Sequence, residues 1–213
     1  MALDLDKYQA EFWRTVKVGQ TVVLSDEQAI EDALKAGKGK TEMDYLVKSI
    51  RVIEDRKTGI EWRFLRLESP DNLWILIKIV DREFDLRAYF EPSDFQPGDR
   101  QDLLDHECYW MFDEPADPNN YRLNDLQFAR SFEIEGCVYE QKPFGMLAGF
   151  VRETPVVKEL DNVLTCVCEY RTEGETKNPE AIFIEMGGEH SERGGYIYVL
   201  LGNPISQEDI EVI

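Results

Sequence analysis

The spacing of hydrophobic residues changes from a helical period to a period of two as the chain passes position 43. Near the N-terminus, residues 5–16 would place five large side chains on one face of a helix. These are Leu5, Tyr8, Phe12, Trp13 and Val16. A second helix is predicted over residues 25–36, because Ser25 and Gln28 form a capping box and Gly37 follows as a helix stop. The N-terminal part is therefore expected to be a helical segment.

Beyond position 43, apolar and polar residues alternate, as is typical of strands with one buried face. Together with a short apolar stretch near the N-terminus, this alternation predicts five strands in the first half: 21–24, 43–53, 60–64, 73–80 and 86–90. Polar turn sequences at 55–59 and 69–72 join successive strands directly. Since such short turns leave no room for crossover helices, the pattern predicts an antiparallel meander.

The second half also favours strands. Apolar segments bounded by Gly, Pro or Asn predict them at 128–139, 145–151, 163–171, 181–186 and 196–201. The segment 206–213 is expected to form one helical turn or an acidic tail. We therefore predict an α+β fold, made mainly of antiparallel β meanders with an N-terminal helical segment. Two similar halves are one reading of this pattern, although the matches between them are too short to establish a repeat.

Prolines and acidic residues mark a break between the halves. We divide the chain into N-terminal helices plus meander at 1–92, a proline-rich acidic connection at 93–124 and an acidic second β half at 125–213. The alternative, in which all three parts pack as a single domain, stays open. The chain length of 213 residues suits either arrangement.

The acidic charge is unevenly distributed. The chain has a net charge of −19; residues 1–100 hold 16 basic and 20 acidic side chains, whereas residues 101–213 hold 8 and 23. This balance disfavours nucleic acid as a partner and favours a basic or membrane-associated protein. The expected contact residues are the acids of the proline-rich segment and of the later loops: Asp113, Glu114, Asp117, Glu173, Glu175, Glu189 and Glu192.

No catalytic, cofactor or metal motif stands out. The available soft ligands lack the paired spacing of zinc sites: His106, Cys108, Cys137, Cys166, Cys168 and His190. The glycines around Lys38 and Lys40 miss the first glycine of a phosphate loop, because Leu34 occupies that position. We therefore predict no catalytic residue, no cofactor and no metal. The N-terminus lacks the pattern of a secretory signal and no apolar run is long enough to span a membrane, so a cytoplasmic location is expected.

Short segments resemble the uncharacterised YjfK-like family. The resemblance rests on residues 168–171, 179–181 and 196–200 near the C-terminus, and on the similar residue pattern of 12–19 near the start. These short motifs together cover about a fifth of the chain. Genes of that family lie near relatives of phage-shock membrane-remodelling proteins, so the resemblance implies an accessory role in membrane stress. It carries over no functional residues.

Three functions remain open from the sequence. The favoured one is a non-enzymatic accessory protein whose acidic C-terminal surface docks on a partner, either as a monomer or as a homo-oligomer. The first alternative is an enzyme or small-ligand-binding protein with no recognisable motif. The second is a DNA-mimic inhibitor, in which carboxylates would be spaced like phosphates along one face.

Overall fold

The fold is known from a computed structural model. It describes residues 6–25, 44–69, 72–92, 111–112, 121–122, 131–134, 136–157, 164–173, 176, 178–186 and 196–213. The described elements are one helix and thirteen strands: α1 (Ala10–Thr15), β1 (Thr21–Leu24), β2 (Asp44–Glu54), β3 (Glu61–Leu67), β4 (Trp74–Val80), β5 (Glu83–Phe90), β6 (Met111–Phe112), β7 (Tyr121–Arg122), β8 (Ser131–Ile134), β9 (Cys137–Thr154), β10 (Leu164–Arg171), β11 (Glu180–Met186), β12 (Tyr196–Pro204) and β13 (Ile210–Val212). A single 3-10 turn, Gln207–Asp209, precedes β13.

Eleven of these strands form one antiparallel sheet. Their order is β13-β1-β2-β3-β4-β5-β12-β11-β10-β9-β8, while β6 and β7 form a separate pair. The sheet closes on itself, because the second half of β2 also pairs with the end of β9, from Ile50 opposite Thr154 to Glu54 opposite Phe150. Eight strands, β2 to β5 and β9 to β12, therefore make a closed ring.

The interior of the ring is filled by large apolar side chains. One buried cluster contains residues from all eight ring strands. Side chains from every strand of a ring can meet only in its interior, so these residues face inward: Ile53, Trp62, Phe64, Trp74, Leu76, Tyr89, Val151, Val167, Ile182, Ile184 and Leu200. Since successive side chains of a strand point to opposite faces, this cluster also fixes which other residues of each strand face inward.

A second hydrophobic layer covers the outside of the first meander. Outward residues of β2 to β5 pack there against α1, β1 and β13, and Trp13 of α1 is fully buried among them. The indole N–H of Trp13 donates to the carbonyl of Lys7 at 2.9 Å. Strand β4 is therefore buried on both faces, which explains the nearly continuous apolar sequence between Leu73 and Val80.

The predicted α+β class is wrong. The described residues contain one six-residue helix, and nearly all of their buried apolar side chains lie on antiparallel strands. Within the described part of the predicted helix 5–16, helix is present at Ala10–Thr15, because Gln9 and Val16 on either side have extended backbones. The helix predicted over 25–36 lies outside the described residues, apart from Ser25. No described helix has the length and apolar character needed to cross a membrane.

Most of the predicted strands are present. The stretch 21–24 is β1, and the meander predicted from 43 to 90 is β2 to β5, paired in sequence order. The segments predicted at 163–171, 181–186 and 196–201 are β10, β11 and β12, with β12 extended to Pro204. The structure divides the strands predicted at 128–139 and 145–151 differently. Strand β8 covers Ser131–Ile134, and one long strand, β9, runs from Cys137 to Thr154.

Candidate functional site

Charged side chains lie inside the ring at one end. Alternation places Lys78 on the inward face of β4 with Leu76, Glu169 on that of β10 with Val167, and Glu180 on that of β11 with Ile182. Arg87 faces inward on β5 in the same way, and Lys142 reaches this group from β9. We call these five residues, Lys78, Arg87, Lys142, Glu169 and Glu180, the charged cluster.

Lys78 and Glu169 join opposite walls of the ring. Three strands separate β4 from β10 in either direction around it, yet Lys78 Nζ lies 3.0 Å from Glu169 Oε2. The ammonium group also lies 5.0 Å from the centre of the Trp62 ring, a cation–π distance. Glu169 is 5% exposed as a residue, so its charge depends on this contact for compensation.

Glu180 is the centre of the rest of the cluster. One carboxylate oxygen accepts from Arg87 Nε at 2.6 Å and the other accepts from Lys142 Nζ at 2.7 Å. The Tyr89 hydroxyl donates to the first oxygen at 3.4 Å. Two cations and a phenol from two strands, β5 and β9, thus converge on one carboxylate of β11.

These contacts shift the pKa values of Glu180 and Tyr89. Burial would raise the pKa of Glu180, but the Lys142 hydrogen bond and the charge of Arg87 outweigh it, so the pKa is lowered. Burial and the neighbouring Glu180 charge raise the pKa of Tyr89 well above its ordinary value. At neutral pH, Glu180 is therefore a fixed carboxylate and Tyr89 a fixed hydrogen-bond donor.

Gly202 makes the approach of Tyr89 to Glu180 possible. It lies on β12 directly between them, paired with Tyr89 on one side and with Glu180 on the other. A Cβ atom at this position would be 2.0 Å from the carbonyl oxygen of Ala88 and 2.7 Å from Tyr89 Cδ1. The Tyr89 ring occupies the space that a side chain on β12 would need.

A second group of charges lies elsewhere in the ring and is also paired. Arg51 Nη2 contacts Glu153 Oε2 at 3.0 Å, where β2 and β9 close the ring. The guanidinium groups of Arg51 and Arg66 each lie 5.5 Å from the Trp74 ring. The indole N–H of Trp74 donates to Glu91 at 3.0 Å. This group links the ring closure to the start of β4.

The predicted contact acids fall largely outside the described part of the chain. Glu173 alone is described; it is exposed and follows the end of β10. The other six lie outside the described residues: Asp113, Glu114, Asp117, Glu175, Glu189 and Glu192. Where the structure is described, no group of three or more His, Cys, Asp or Glu side chains could hold a metal ion.

Sequence reasoning missed the charged cluster, although its signal is present. Lys78 interrupts the apolar run of β4, and Glu169 interrupts the apolar sequence of β10. A charge at an inward position of an apolar strand requires a partner in the interior. The pairing itself could not be inferred, because it depends on the closure of the ring.

Comparisons with protein-family models, with curated proteins and with solved structures found no match to this chain.

Proposed function

We propose that the protein is a non-enzymatic docking protein that acts in the cytoplasm. On this proposal, acidic residues of the C-terminal half, such as Asp113, Glu114 and Asp117, bind a basic or membrane-associated protein. The observation that carries it is the division of charge between the two parts of the chain. Residues 1–100 hold 16 basic and 20 acidic side chains, whereas residues 101–213 hold 8 and 23.

Many cations of the described strands and helix, which we call the framework, are neutralised by nearby carboxylates. Seven basic residues of the described part form ion pairs with carboxylates: Arg14, Arg51, Arg63, Lys78, Arg87, Lys142 and Arg152. Because these charges are compensated locally, the framework contributes little to the long-range field. The excess of acid in residues 101–213 can then attract a basic surface and accelerate association.

The test is a charge reversal at the predicted contact acids. The triple variant Asp113→Lys, Glu114→Lys and Asp117→Lys should lose a partner that the wild type captures from its native cytosol at low salt and releases at high salt. A matched control reverses three exposed acids of the framework, Glu68, Glu133 and Glu211, which gives the same net charge. This control should keep the partner.

The outcomes separate the functions considered above. Equal loss of the partner in both variants would show that net charge alone matters and would overturn docking through the predicted segment. Retention in both would remove that segment from the proposal. A captured DNA-binding protein that duplex DNA displaces would favour DNA mimicry instead.

A further inference from the structure

A cavity of about 420 Å³ opens where β12 leaves the ring. It is lined by Tyr8, Lys78, Val80, Arg82, Glu83, Phe84, Asp85 and Gln207. Strand β5 pairs with β4 over 83–89, but with β12 only over 87–90. After Pro204 the chain makes one more backbone hydrogen bond with β5, from Ile205 N–H to the Leu86 carbonyl, and then turns toward β13. The start of β5 is therefore an uncovered edge with a cavity beside it.

Lys78 connects this cavity to the charged cluster. Its side chain is 24% exposed, whereas that of its partner Glu169 is 7% exposed. An ammonium group has three N–H donors, and among the described contacts Glu169 accepts from one of them. Lys78 can therefore bind an anionic group from the cavity while it keeps its internal partner.

The cavity lining carries both signs of charge. Lys78 and Arg82 supply cations, and Glu83 and Asp85 supply carboxylates. The remaining side chains include two aromatic rings, Tyr8 and Phe84, and the aliphatic Val80. A simple anion would be repelled by the protein's net charge of −19. A ligand with both charges and no net charge avoids this repulsion and satisfies both sets of groups.

The uncovered edge of β5 adds backbone groups of the kind that recognise peptides. The Leu86 carbonyl points to the β12 side, since it accepts from Ile205. Backbone groups of alternate residues point the same way in an antiparallel strand, so the amide and carbonyl of Phe84 face the cavity. No backbone partner from the described residues reaches Phe84 on that side. The edge can therefore pair with one peptide unit.

We propose that this cavity binds a small zwitterion of the α-amino acid or dipeptide class. The ligand carboxylate contacts Lys78 and Arg82, and its ammonium group contacts Glu83 and Asp85. An apolar or aromatic ligand side chain packs on Tyr8 and Phe84. The size of the cavity agrees with that of small-molecule sites, which are about 300–1,000 Å³. This proposal is independent of docking through the acidic segments.

The test is calorimetric titration of the whole chain with the standard amino acids and with glycyl-phenylalanine. Each ligand that binds is then compared with its N-acetyl and C-amide derivatives, which remove one charge each. We expect both derivatives to bind at least about tenfold more weakly, a loss of about 1.4 kcal/mol. The centre of the Trp62 ring lies 5.0 Å from Lys78 Nζ, so its fluorescence should change on binding, and Trp62→Phe should reduce that change.

Two variants at exposed residues assign the two charges. Arg82→Ala should weaken binding of the unmodified ligand and reduce the loss of affinity that C-amidation causes. Asp85→Asn should reduce the loss of affinity that N-acetylation causes. Lys57→Ala and Glu133→Gln are controls on exposed residues that do not line the cavity, and they should leave binding unchanged. The proposal is overturned if no ligand of this panel binds, or if binding is the same in Arg82→Ala, Asp85→Asn and the wild type.

Discussion

Lys78 of β4 and Glu169 of β10 form an ion pair across the full width of the closed ring, with 3.0 Å between Nζ and Oε2. The two residues are 91 positions apart in the chain and belong to different meanders. The pair therefore connects the two walls of the interior directly, in addition to the hydrogen bonds that run around the ring. Removal of this ion pair should therefore lower the stability of the whole sheet.

We expect Lys78→Met to destabilise the protein, because it leaves the Glu169 charge buried without its partner. The loss should be roughly 2–3 kcal/mol, below the range for a fully buried pair, since Lys78 is partly exposed. Urea denaturation followed by circular dichroism measures it. The double variant Lys78→Met and Glu169→Gln should recover part of the loss. A single variant as stable as the wild type would show that the pair contributes nothing.

The fit of Gly202 against Tyr89 gives a second prediction. Gly202→Ala should lower the free energy of unfolding by at least about 2 kcal/mol, because the new methyl group meets the backbone carbonyl of Ala88, which cannot rotate away. Gly59→Ala is the matched control: Gly59 has a φ of +73° but nothing lies within 4 Å of its added Cβ. It should cost about 1 kcal/mol from backbone strain alone. Equal losses would contradict the proposed clash.

Cys168 gives a third prediction, based on its burial. Burial raises the pKa of its thiol to about 11, although hydrogen bonds with Tyr170 and Gln141 act in the other direction. At pH 8 only about a thousandth of the thiol is ionised, so it should react slowly with N-ethylmaleimide in the native protein. Cys137, which is partly exposed, should react faster. Peptide mass spectrometry, with and without urea, compares the two residues; equal native labelling would contradict burial of Cys168.

The local elements of this fold could be predicted from the sequence, but its closure could not. Alternation between Asp44 and Phe90 is sufficient to identify β2 to β5, because each strand carries its own period and its own turn. The closing contact pairs Arg51 with Glu153, 102 residues away. Nothing in the local period of either strand selects that partner, since it depends on the twist and tilt of all eight strands together.

The error in the fold class has a related cause. Helical spacing between Leu5 and Val16 and the capping box at Ser25 predict helices, just as the alternation beyond position 43 predicts strands. In the described residues, however, helix is confined to Ala10–Thr15, where Ala10 and Trp13 are buried against the sheet. Local propensity is a weak signal beside burial against a large sheet.

The charged cluster shows the same limit. In the sequence Lys78 only interrupts an apolar run, because its partner lies on a strand of the other meander. By contrast, the acidic segments were evident from composition alone. The sequence thus indicates which residues are unusual, whereas the ring determines which of them meet.

The lowered pKa of Glu180 predicts how stability depends on pH. The folded-state pKa lies below that of the unfolded chain, so the stabilisation is complete above the unfolded value of about 4.3 and is lost as the pH falls through the folded value. We expect Glu180→Gln to be less stable than the wild type at pH 7, and the difference between them to shrink on acidification. Urea denaturation from pH 7 down to about pH 3 measures this difference. Glu173→Gln, at an exposed carboxylate, is the control and should follow the wild type throughout. A difference between Glu180→Gln and the wild type that stays constant across this range would show that Arg87 and Lys142 do not stabilise the ionised carboxylate.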